Sequence, residues 1–432
     1  MQRRVFVKGI AAGMMALPVM PGAGQALASR LENLRSDLAG HEEGAEFRRR
    51  MSAEFALNPG LIHMNTGSIG AAPGLVVDAL CNYARQLEGD PLNNVWGGIG
   101  DGMEAVRARA AEFLGAETDE VAITRNTTEA MNMTAEGLHL EPGDEVLTSD
   151  HEHGGGMVCW QYLARHRGIR VRYIEITDPV QSPGQIVELV ERHLTPRTRV
   201  CSFSHVCTIT GMIFPMAQVA RITRPRGIML VCDGAQGPGM LNVDVKKLDV
   251  DMYCSSSHKW MLAPKGSGLL YIRKEAQDRI RPLSLHSGYR VYSASGGTRN
   301  VPTILAHGVA MDFHNAIGRD RIEQHCRRLS WGLREQLSLI PGMTCISPEP
   351  PEMASGMCTL AVDPQKASAA DLASRLYQDH RITVKTAQST YAFVPAAEAN
   401  PVDHNALRFS THVYNDAAQV EHVVDTIRRM LA

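Results

Sequence analysis

The chain has 432 residues, of which 44% are hydrophobic and 21% are charged. A chain of this length buries a large core and exceeds the size of a typical single domain. Its formal charge of -2 leaves no excess of basic residues, which argues against a nucleic acid or an anionic membrane surface as the partner. We therefore expect one larger and one smaller domain that act on a small molecule or a peptide.

Residues 1–28 have the composition of a removable export signal. A basic start is followed by a short apolar stretch and then by the small-residue cleavage motif Ala26-Leu27-Ala28. The run at residues 3–8 resembles the twin-arginine signature, so we predict that the twin-arginine machinery exports the folded chain to the periplasm. The alternatives are an ordinary secretory signal or a membrane anchor, but the apolar stretch is shorter than the roughly 20 residues of a spanning helix.

The nine cysteines are scattered along the chain. They contain no C-x-x-C pair and no grouping with the spacing of zinc ligands, so we predict no metal site. An odd, unpaired set is typical of a chain that folds in reducing surroundings, and we expect most of the nine to be buried as small hydrophobic residues. Folding in the cytoplasm before export agrees with this pattern.

Residues 30–50 are polar and rich in Glu, Arg and Leu, and we predict that they form an exposed helix leading into the fold. From about residue 61, short strands alternate with segments of helical apolar spacing. The strands are predicted at residues 121–124, 145–148, 171–176, 200–204, 229–232, 252–255 and 268–272. The helices are predicted at residues 106–114, 128–137, 157–167, 185–193 and 216–224. This alternation predicts an α/β fold whose mostly parallel sheet is covered on both faces and binds ligands at the carboxyl ends of its strands.

The C-terminal part has a different pattern. Pro302 suits the start of a long helical stretch at residues 303–317 and 319–339. A small α+β domain is predicted from strands at residues 358–362, 382–385 and 407–410 and a helix at residues 417–430. We divide the chain into a signal, an N-terminal helical segment, a large cofactor-binding domain, and connecting helices with the small domain, at residues 1–28, 29–60, 61–300 and 301–432.

Two charged residues follow strand-like runs in the large domain. Asp233 follows the run at residues 228–232 and Lys259 follows the run at residues 252–255, so both are expected at the same edge of the sheet. A lysine amine and a carboxylate are two of the groups that pyridoxal 5'-phosphate (PLP) requires, for its aldehyde and its pyridinium nitrogen. Alone, Asp233 fits an acid that caps the next helix, and Lys259 fits a solvated surface lysine.

Hydroxyl groups and backbone amides are expected around these two positions. Thr127 and Thr128 follow a strand and open a helix, where N–H groups without helical partners meet an anion. Ser256 and His258 directly precede Lys259, which places them where they would meet the phosphate of the same cofactor. The alternative for residues 126–129 is a plain helix cap.

Several runs together resemble the class V aminotransferases, a family of fold type I PLP enzymes, and within it the isopenicillin N epimerase-like branch. These runs lie at residues 65–70, 124–129, 150–153, 233–236, 257–260, 264–266 and 297–302. The resemblance extends from about Asn65 to the end of the chain. It implies a homodimer with a shared active site.

The resemblance implies a role for each matching residue around the cofactor ring. Lys259 is expected to bond covalently to PLP, and Asp233 to pair with its pyridinium nitrogen. Gln236 and Thr208 are expected near the phenolic oxygen, although many relatives carry asparagine where this chain has Thr208. His153 is expected to stack on the face of the ring.

Further residues are implied in binding the phosphate and the substrate. The implied phosphate ligands are Thr127, Thr128, Ser256 and His258, with Thr298 from the second subunit of a dimer. Arg408 matches the family's substrate-carboxylate arginine, since a planar guanidinium binds a carboxylate through two donors. Asn65 is expected beside the substrate.

The resemblance predicts an enzyme that acts on an amino group of an amino acid or peptide, by transamination or epimerisation. Cysteine desulfurases of the family carry a nucleophilic cysteine in the small domain, and residues 384–389 contain none, so persulfide chemistry is not expected. One alternative is a PLP-dependent C–S or other β-elimination lyase. A non-catalytic relative is expected to have lost Lys259 or Asp233, and both are present. The predicted export favours a peptide siderophore, such as a pyoverdine, as the substrate.

Overall fold

The computed structural model describes residues 23–38, 45–281, 297–388 and 403–432. The predicted twin-arginine run at residues 3–8 lies outside these ranges, whereas the predicted cleavage motif at residues 26–28 lies within the first helix. Export therefore stays a prediction. None of the helices in the described ranges is both long enough and apolar enough to cross a membrane.

Helices and strands alternate along most of the chain. The helices are α1 (Ala23–Leu38), α2 (Ala45–Glu54), α3 (Gly74–Gly89), α4 (Pro91–Val95), α5 (Gly102–Leu114), α6 (Thr127–Gly137), α7 (Gly154–Arg167), α8 (Pro183–His193), α9 (Met216–Thr223), α10 (Val245–Leu248), α11 (Val301–Ile317), α12 (Arg319–Ser338), α13 (Ala369–His380) and α14 (Ala417–Leu431). The strands are β1 (Ile62–His63), β2 (Val121–Thr124), β3 (Glu145–Ser149), β4 (Arg170–Ile174), β5 (Thr198–Ser204), β6 (Met229–Asp233), β7 (Met252–Ser256), β8 (Gly268–Ile272), β9 (Met343–Cys345), β10 (Met357–Val362), β11 (Ile382–Thr383), β12 (Lys385–Gln388) and β13 (Asp403–Ser410).

The larger sheet has seven strands in the order β2-β8-β7-β6-β5-β3-β4. Strand β8 is antiparallel to both of its neighbours, and all other pairs are parallel. Successive residues of β6 face different cores, since Val231 belongs to one hydrophobic cluster and Leu230 and Cys232 belong to the other. Burial on both faces explains the continuous apolar runs of the central strands. The predicted α/β fold with a mostly parallel sheet is confirmed.

The N-terminal helices differ from the prediction. Residues 30–50 were expected to form an exposed helix, but α1 and α2 bury an apolar side that includes Leu31, Leu34 and Met51. The leucines of α1 recur at helical spacing and form a stripe that packs against α11. Glu32 and Asp37 lie on the exposed side of α1, and charged residues of this kind are why composition alone indicated exposure.

A smaller antiparallel sheet follows in the order β12-β13-β10-β9. Its register places Arg408 of β13 opposite Thr359 of β10 on one side and opposite Lys385 of β12 on the other. Strand β1 pairs in parallel with β11, so the chain near Ile62 joins the C-terminal part of the fold. The predicted strand at residues 382–385 is split between β11 and β12. The domain boundaries themselves stay a prediction.

We expect Leu34→Ala to lower the free energy of unfolding by about 2–4 kcal/mol, because truncating a fully buried leucine leaves a cavity. Chemical denaturation followed by circular dichroism measures this change. Glu32→Ala, on the exposed side of the same helix, is the matched control and should shift stability by less than about 0.5 kcal/mol. Equal stability of the two variants would show that α1 is not part of the folded core.

Candidate active site

The polar groups converge at the carboxyl edge of the seven-stranded sheet. Asp233 is the last residue of β6, Ser256 the last of β7, and Ser204 the last of β5. Neighbouring parallel strands end at the same edge, so their terminal side chains meet there. Ser204 and Asp233 are direct cross-strand neighbours.

Asp233 is a buried carboxylate with one strong donor. Its Oδ1 accepts a hydrogen bond from the amide of Ala235 at 2.9 Å. Burial raises the pKa of Asp233, while the Ala235 amide and the charge of Lys259 oppose that shift. A Cβ atom at Gly156 would lie 2.5 Å from Oδ2, so only glycine at this position keeps the second oxygen clear. A buried carboxylate with one oxygen left clear suits a protonated ring nitrogen.

Lys259 lies in the loop after β7 and is only partly accessible. Burial lowers the pKa of Lys259 to about 8, with Arg408 and Lys385 contributing and Asp233 opposing. Near neutral pH a larger fraction of this amine is therefore unprotonated and nucleophilic than of an exposed lysine. The loop is held by Gly70, whose amide donates to the carbonyl of His258 at 3.0 Å. A Cβ at Gly70 would lie 2.0 Å from the Lys259 carbonyl oxygen, so this close contact requires glycine.

His153 caps the N-terminus of α7 and faces the same region. Its Nδ1 accepts a hydrogen bond from the Gly155 amide at 3.0 Å, which fixes the orientation of the ring. Burial, together with the charges of Lys259, Lys385 and Arg408, lowers the pKa of His153 to about 4. The ring is therefore neutral at physiological pH. A neutral, half-buried imidazole suits stacking on an electron-poor aromatic ring.

The structure brings Thr127 and Ser256 together at the N-terminus of α6. The amide and the hydroxyl of Thr127 each lie 2.9 Å from Ser256 Oγ. Thr128 follows with an exposed side chain, and a Cβ at Gly155 would lie 2.6 Å from Thr128 Oγ1. Two hydroxyls and the first amides of an 11-residue helix form a donor set that suits a phosphate.

The residues next to Lys259 fit a phosphorylated, ring-shaped cofactor. His258 Nδ1 is buried, and no residue in the described ranges offers it a hydrogen-bond partner. Burial lowers the pKa of His258 to about 4, so the ring presents one acceptor and one donor. With the hydroxyl groups of Thr127 and Ser256 nearby, the amine of Lys259 and the carboxylate of Asp233 complete the groups that PLP requires. The residues present therefore fit this cofactor.

Arg408 is buried, with only 2% of its surface exposed, and its partners are neutral oxygens. Nη1 donates to the Thr208 carbonyl at 3.0 Å and to Thr208 Oγ1 at 2.8 Å. Nη2 donates to Asn65 Oδ1 at 3.0 Å and to Ser68 Oγ at 3.2 Å. Burial lowers the pKa of Arg408 to about 10, so the guanidinium stays charged near neutral pH. Arg408 and Asn65 were each predicted to lie beside the substrate, and a hydrogen bond joins their side chains. Their contacts with a substrate stay a prediction.

Gln236 connects the site to the N-terminal part of the fold. Its Nε2 donates to the Gly67 carbonyl at 2.9 Å and lies 3.5 Å from Thr208 Oγ1. Its Oε1 accepts a hydrogen bond from Trp260 Nε1 at 2.6 Å. Gln236 and Thr208 therefore lie together, and the predicted contact of each with the cofactor's oxygen stays a prediction.

Thr298 is separate from these residues within one chain. Its side chain is exposed just before α11, and it forms no hydrogen bond to the other predicted site residues in the described part of the chain. Its role as a phosphate ligand from a second subunit stays a prediction.

Sequence reasoning missed Glu152, which lies in the polar layer under the site. Its carboxylate accepts hydrogen bonds from Ser149 Oγ at 2.7 Å and Ser204 Oγ at 2.5 Å. Burial raises the pKa of Glu152 to about 7; the two serine hydroxyls oppose that shift, and Asp233 adds to it. Glu152 lies beside His153 in a run used above only for the resemblance, and that adjacency was the available signal.

Lys385 was missed as well, because its place depends on strand register. It stands opposite Arg408 across the β12–β13 pair. Burial lowers the pKa of Lys385, and Arg408 lowers it further. The sequence carries no motif for such a cross-strand partner, so only the folded structure identifies it.

A nearby group of His151, Asp178 and His404 has the atoms to surround a metal ion. The two nitrogens of His151 lie 2.6 Å from Asp150 Oδ1 and from Asp178 Oδ2. Although burial opposes it, these two carboxylates raise the pKa of His151 well above its usual value. A protonated imidazole has no free lone pair, so this arrangement favours an ion-pair network over a metal site.

Comparison with known proteins agrees with this geometry. The aminotransferase class-V family model matches residues 70–423. Isopenicillin N epimerase from Amycolatopsis lactamdurans is 31% identical over 399 residues, covering 87% of this chain and 97% of that protein. The apo cysteine desulfurase from Thermococcus onnurineus NA1 has a TM-score of 0.76 at 24% identity, covering 91% of this chain and 99% of that chain. The C-DES enzyme with glycine covalently linked to its PLP cofactor has a TM-score of 0.75 at 22% identity, covering 87% and 98%. The two structures show that the fold is shared.

We expect the rate at which PLP is captured by the apoprotein to rise with pH and to level off above about pH 8. The reason is that the neutral amine attacks the aldehyde, and the pKa of Lys259 is lowered to about 8. Stopped-flow absorbance between pH 6.5 and 9.5 measures the rate, and Lys259→Ala gives the background from other lysines. A rate that still rises tenfold per pH unit at pH 9.5 would contradict the lowered pKa.

Proposed function

The chain belongs to the class V aminotransferase family, and we propose that it removes the α-proton of an amino acid or peptide substrate in transamination or epimerisation. The family makes it a PLP-dependent enzyme. The observation that carries the proposal is the convergence of the Lys259 amine, the Asp233 carboxylate and the Arg408 guanidinium in one largely buried site.

Each of these groups has a distinct task. PLP, when bound, withdraws electrons from the bond between the substrate's α-carbon and its hydrogen. Asp233 would hold the ring nitrogen and His153 the ring face. Lys259, with its lowered pKa, takes a proton from the α-carbon and returns it. Arg408 orients the substrate by binding its carboxylate, and its buried Nε is the donor that has no acceptor in the described part of the chain.

The cysteines support this reaction over persulfide chemistry. Seven of the nine are buried, and the other two are Cys81 on α3 and Cys345 on β9. Cys207 lies near the site, but burial raises the pKa of its thiol. A nucleophilic sulfur needs an accessible thiolate, and residues 384–389 contain no cysteine. These features favour the epimerase-like branch over the desulfurases.

Export, dimer formation and the substrate belong to the same proposal. The run at residues 3–8 supports delivery of the folded chain to the periplasm by the twin-arginine route. A homodimer would supply Thr298 to the neighbouring site. A periplasmic location favours a peptide, such as a siderophore precursor, as the substrate.

Export is tested by replacing both arginines of the signature. We expect Arg3→Lys combined with Arg4→Lys to retain the chain in the cytoplasm of a Gram-negative host, because the twin-arginine route reads the pair specifically. Cell fractionation and immunoblotting measure the distribution, and Arg30→Lys in α1 is the control. Unchanged periplasmic delivery of the double variant would contradict this route.

The catalytic assignment is tested by trapping the cofactor. We expect the purified protein to carry a visible absorption band that borohydride removes while fixing a pyridoxyl group on Lys259, detected by peptide mass spectrometry. Lys259→Ala should lack both signals, and Lys247→Ala, on the surface, should retain them. A colourless protein that takes up no PLP would overturn the proposal and favour a non-catalytic relative.

The reaction type is then read from the products of amino acids and peptides. Solvent deuterium at the α-carbon with retained amino group indicates epimerisation, and a 2-oxo product with an amino acceptor indicates transamination. Release of a β-substituent without an acceptor would contradict both and support the lyase.

A further inference from the structure

Two cations face each other across one strand pair of the smaller sheet. Lys385 of β12 and Arg408 of β13 are directly opposite in the antiparallel register. Opposite residues of an antiparallel pair project to the same side, with Cβ atoms roughly 5 Å apart, and like charges in that position destabilise the sheet. The pair therefore has an electrostatic cost that a bound anion would remove.

Both charges act on the active site. The ammonium of Lys385 and the guanidinium of Arg408 each lower the pKa of Lys259 and of His153. The two cations therefore lie near the groups that hold the cofactor ring. Lys385 is half-buried, so its charge is only partly screened by solvent.

Neither cation has an acidic partner in the described part of the chain. Arg408 donates only to neutral oxygens, and its buried Nε has no acceptor there. The side chain of Lys385 forms neither a hydrogen bond nor an ion pair with any described residue. The nearby acids are engaged elsewhere, since Asp233 serves the cofactor ring and Glu152 is bound by two serines.

One substrate carboxylate on Arg408 leaves the charge of Lys385 unmatched. We propose that Lys385 forms a second anion subsite, which binds a side-chain or distal carboxylate and selects substrates carrying two acidic groups. This inference rests on the proposed function, in which Arg408 binds the first carboxylate. The substrate class is then an acidic amino acid, or a peptide residue with an acidic side chain.

The test compares dicarboxylates with monocarboxylates as inert ligands of the PLP-loaded enzyme. Succinate, glutarate and adipate are paired with butanoate, pentanoate and hexanoate, so that each pair has equal carbon number. Isothermal titration calorimetry measures the dissociation constants. We expect at least one dicarboxylate to bind about tenfold more tightly than its partner, as one charge-assisted hydrogen bond provides.

The variants separate this role from a structural one. Lys385→Gln should abolish the preference for the dicarboxylate and leave monocarboxylate binding within about twofold. Lys385→Arg should keep the preference, because the positive charge is retained. Lys247→Gln, which removes an exposed lysine elsewhere, is the matched control and should behave as the parent enzyme.

Two results would overturn the inference while leaving the proposed function intact. One is the absence of any dicarboxylate preference in a fully loaded enzyme. The other is an equal loss of both ligand types in Lys385→Gln, which would mean that Lys385 and Arg408 share a single carboxylate. Cofactor loading is read from the visible band before each titration, and a protein that does not load contradicts the proposed function itself.

Discussion

The burial of ionisable groups at one edge of the seven-stranded sheet is the constraint on which the site depends. Removing a charge from water is costly, so buried groups shift toward their neutral forms unless a partner compensates. The pKa of Lys259 falls, that of Asp233 rises, and the ring of His153 stays neutral. A solvated copy of the same residues would have none of these properties. The two hydrophobic clusters cover the two faces of the sheet and bury the strands that carry these groups.

The site is assembled from three distant parts of the chain. The larger sheet provides the groups around the cofactor, the smaller sheet provides Arg408 and Lys385, and the segment after β1 provides Asn65. Glycines make the close approaches possible. A Cβ at Gly67 would lie 3.1 Å from Arg408 Nη2, so this residue type lets the N-terminal segment pack against the guanidinium. The absence of a side chain at Gly67 thus makes this long-range contact possible.

The sheet could be predicted from the sequence, since apolar runs followed by polar turns identify both strands and strand ends. Lys259 and Asp233 were identified in this way. His153, Gln236 and Arg408 were candidates only through the resemblance to a known family. Burial of α1 was not predicted, because its leucine stripe is diluted by charged residues on the other face. Lys385 was not predicted as a site residue, because its place opposite Arg408 depends on strand register, which is a tertiary property. Ser204 donates a hydrogen bond to Glu152 and stands opposite Asp233 in the neighbouring strand. No spacing in the sequence indicates that these three residues lie together.

The pairing of β1 with β11 gives the fold an order of assembly. Ile62 pairs with Ile382, and Thr66 Oγ1 lies 2.5 Å from the hydroxyl of Tyr414. Ile62 and Thr66 can therefore form these contacts only after the partners, more than 300 residues later in the sequence, have been synthesised. Closing such a long loop is slow compared with forming local helices. During synthesis on the ribosome, the larger sheet has all of its strands before β11 and Tyr414 emerge. The smaller sheet, which carries Arg408, is therefore completed after the larger sheet during synthesis.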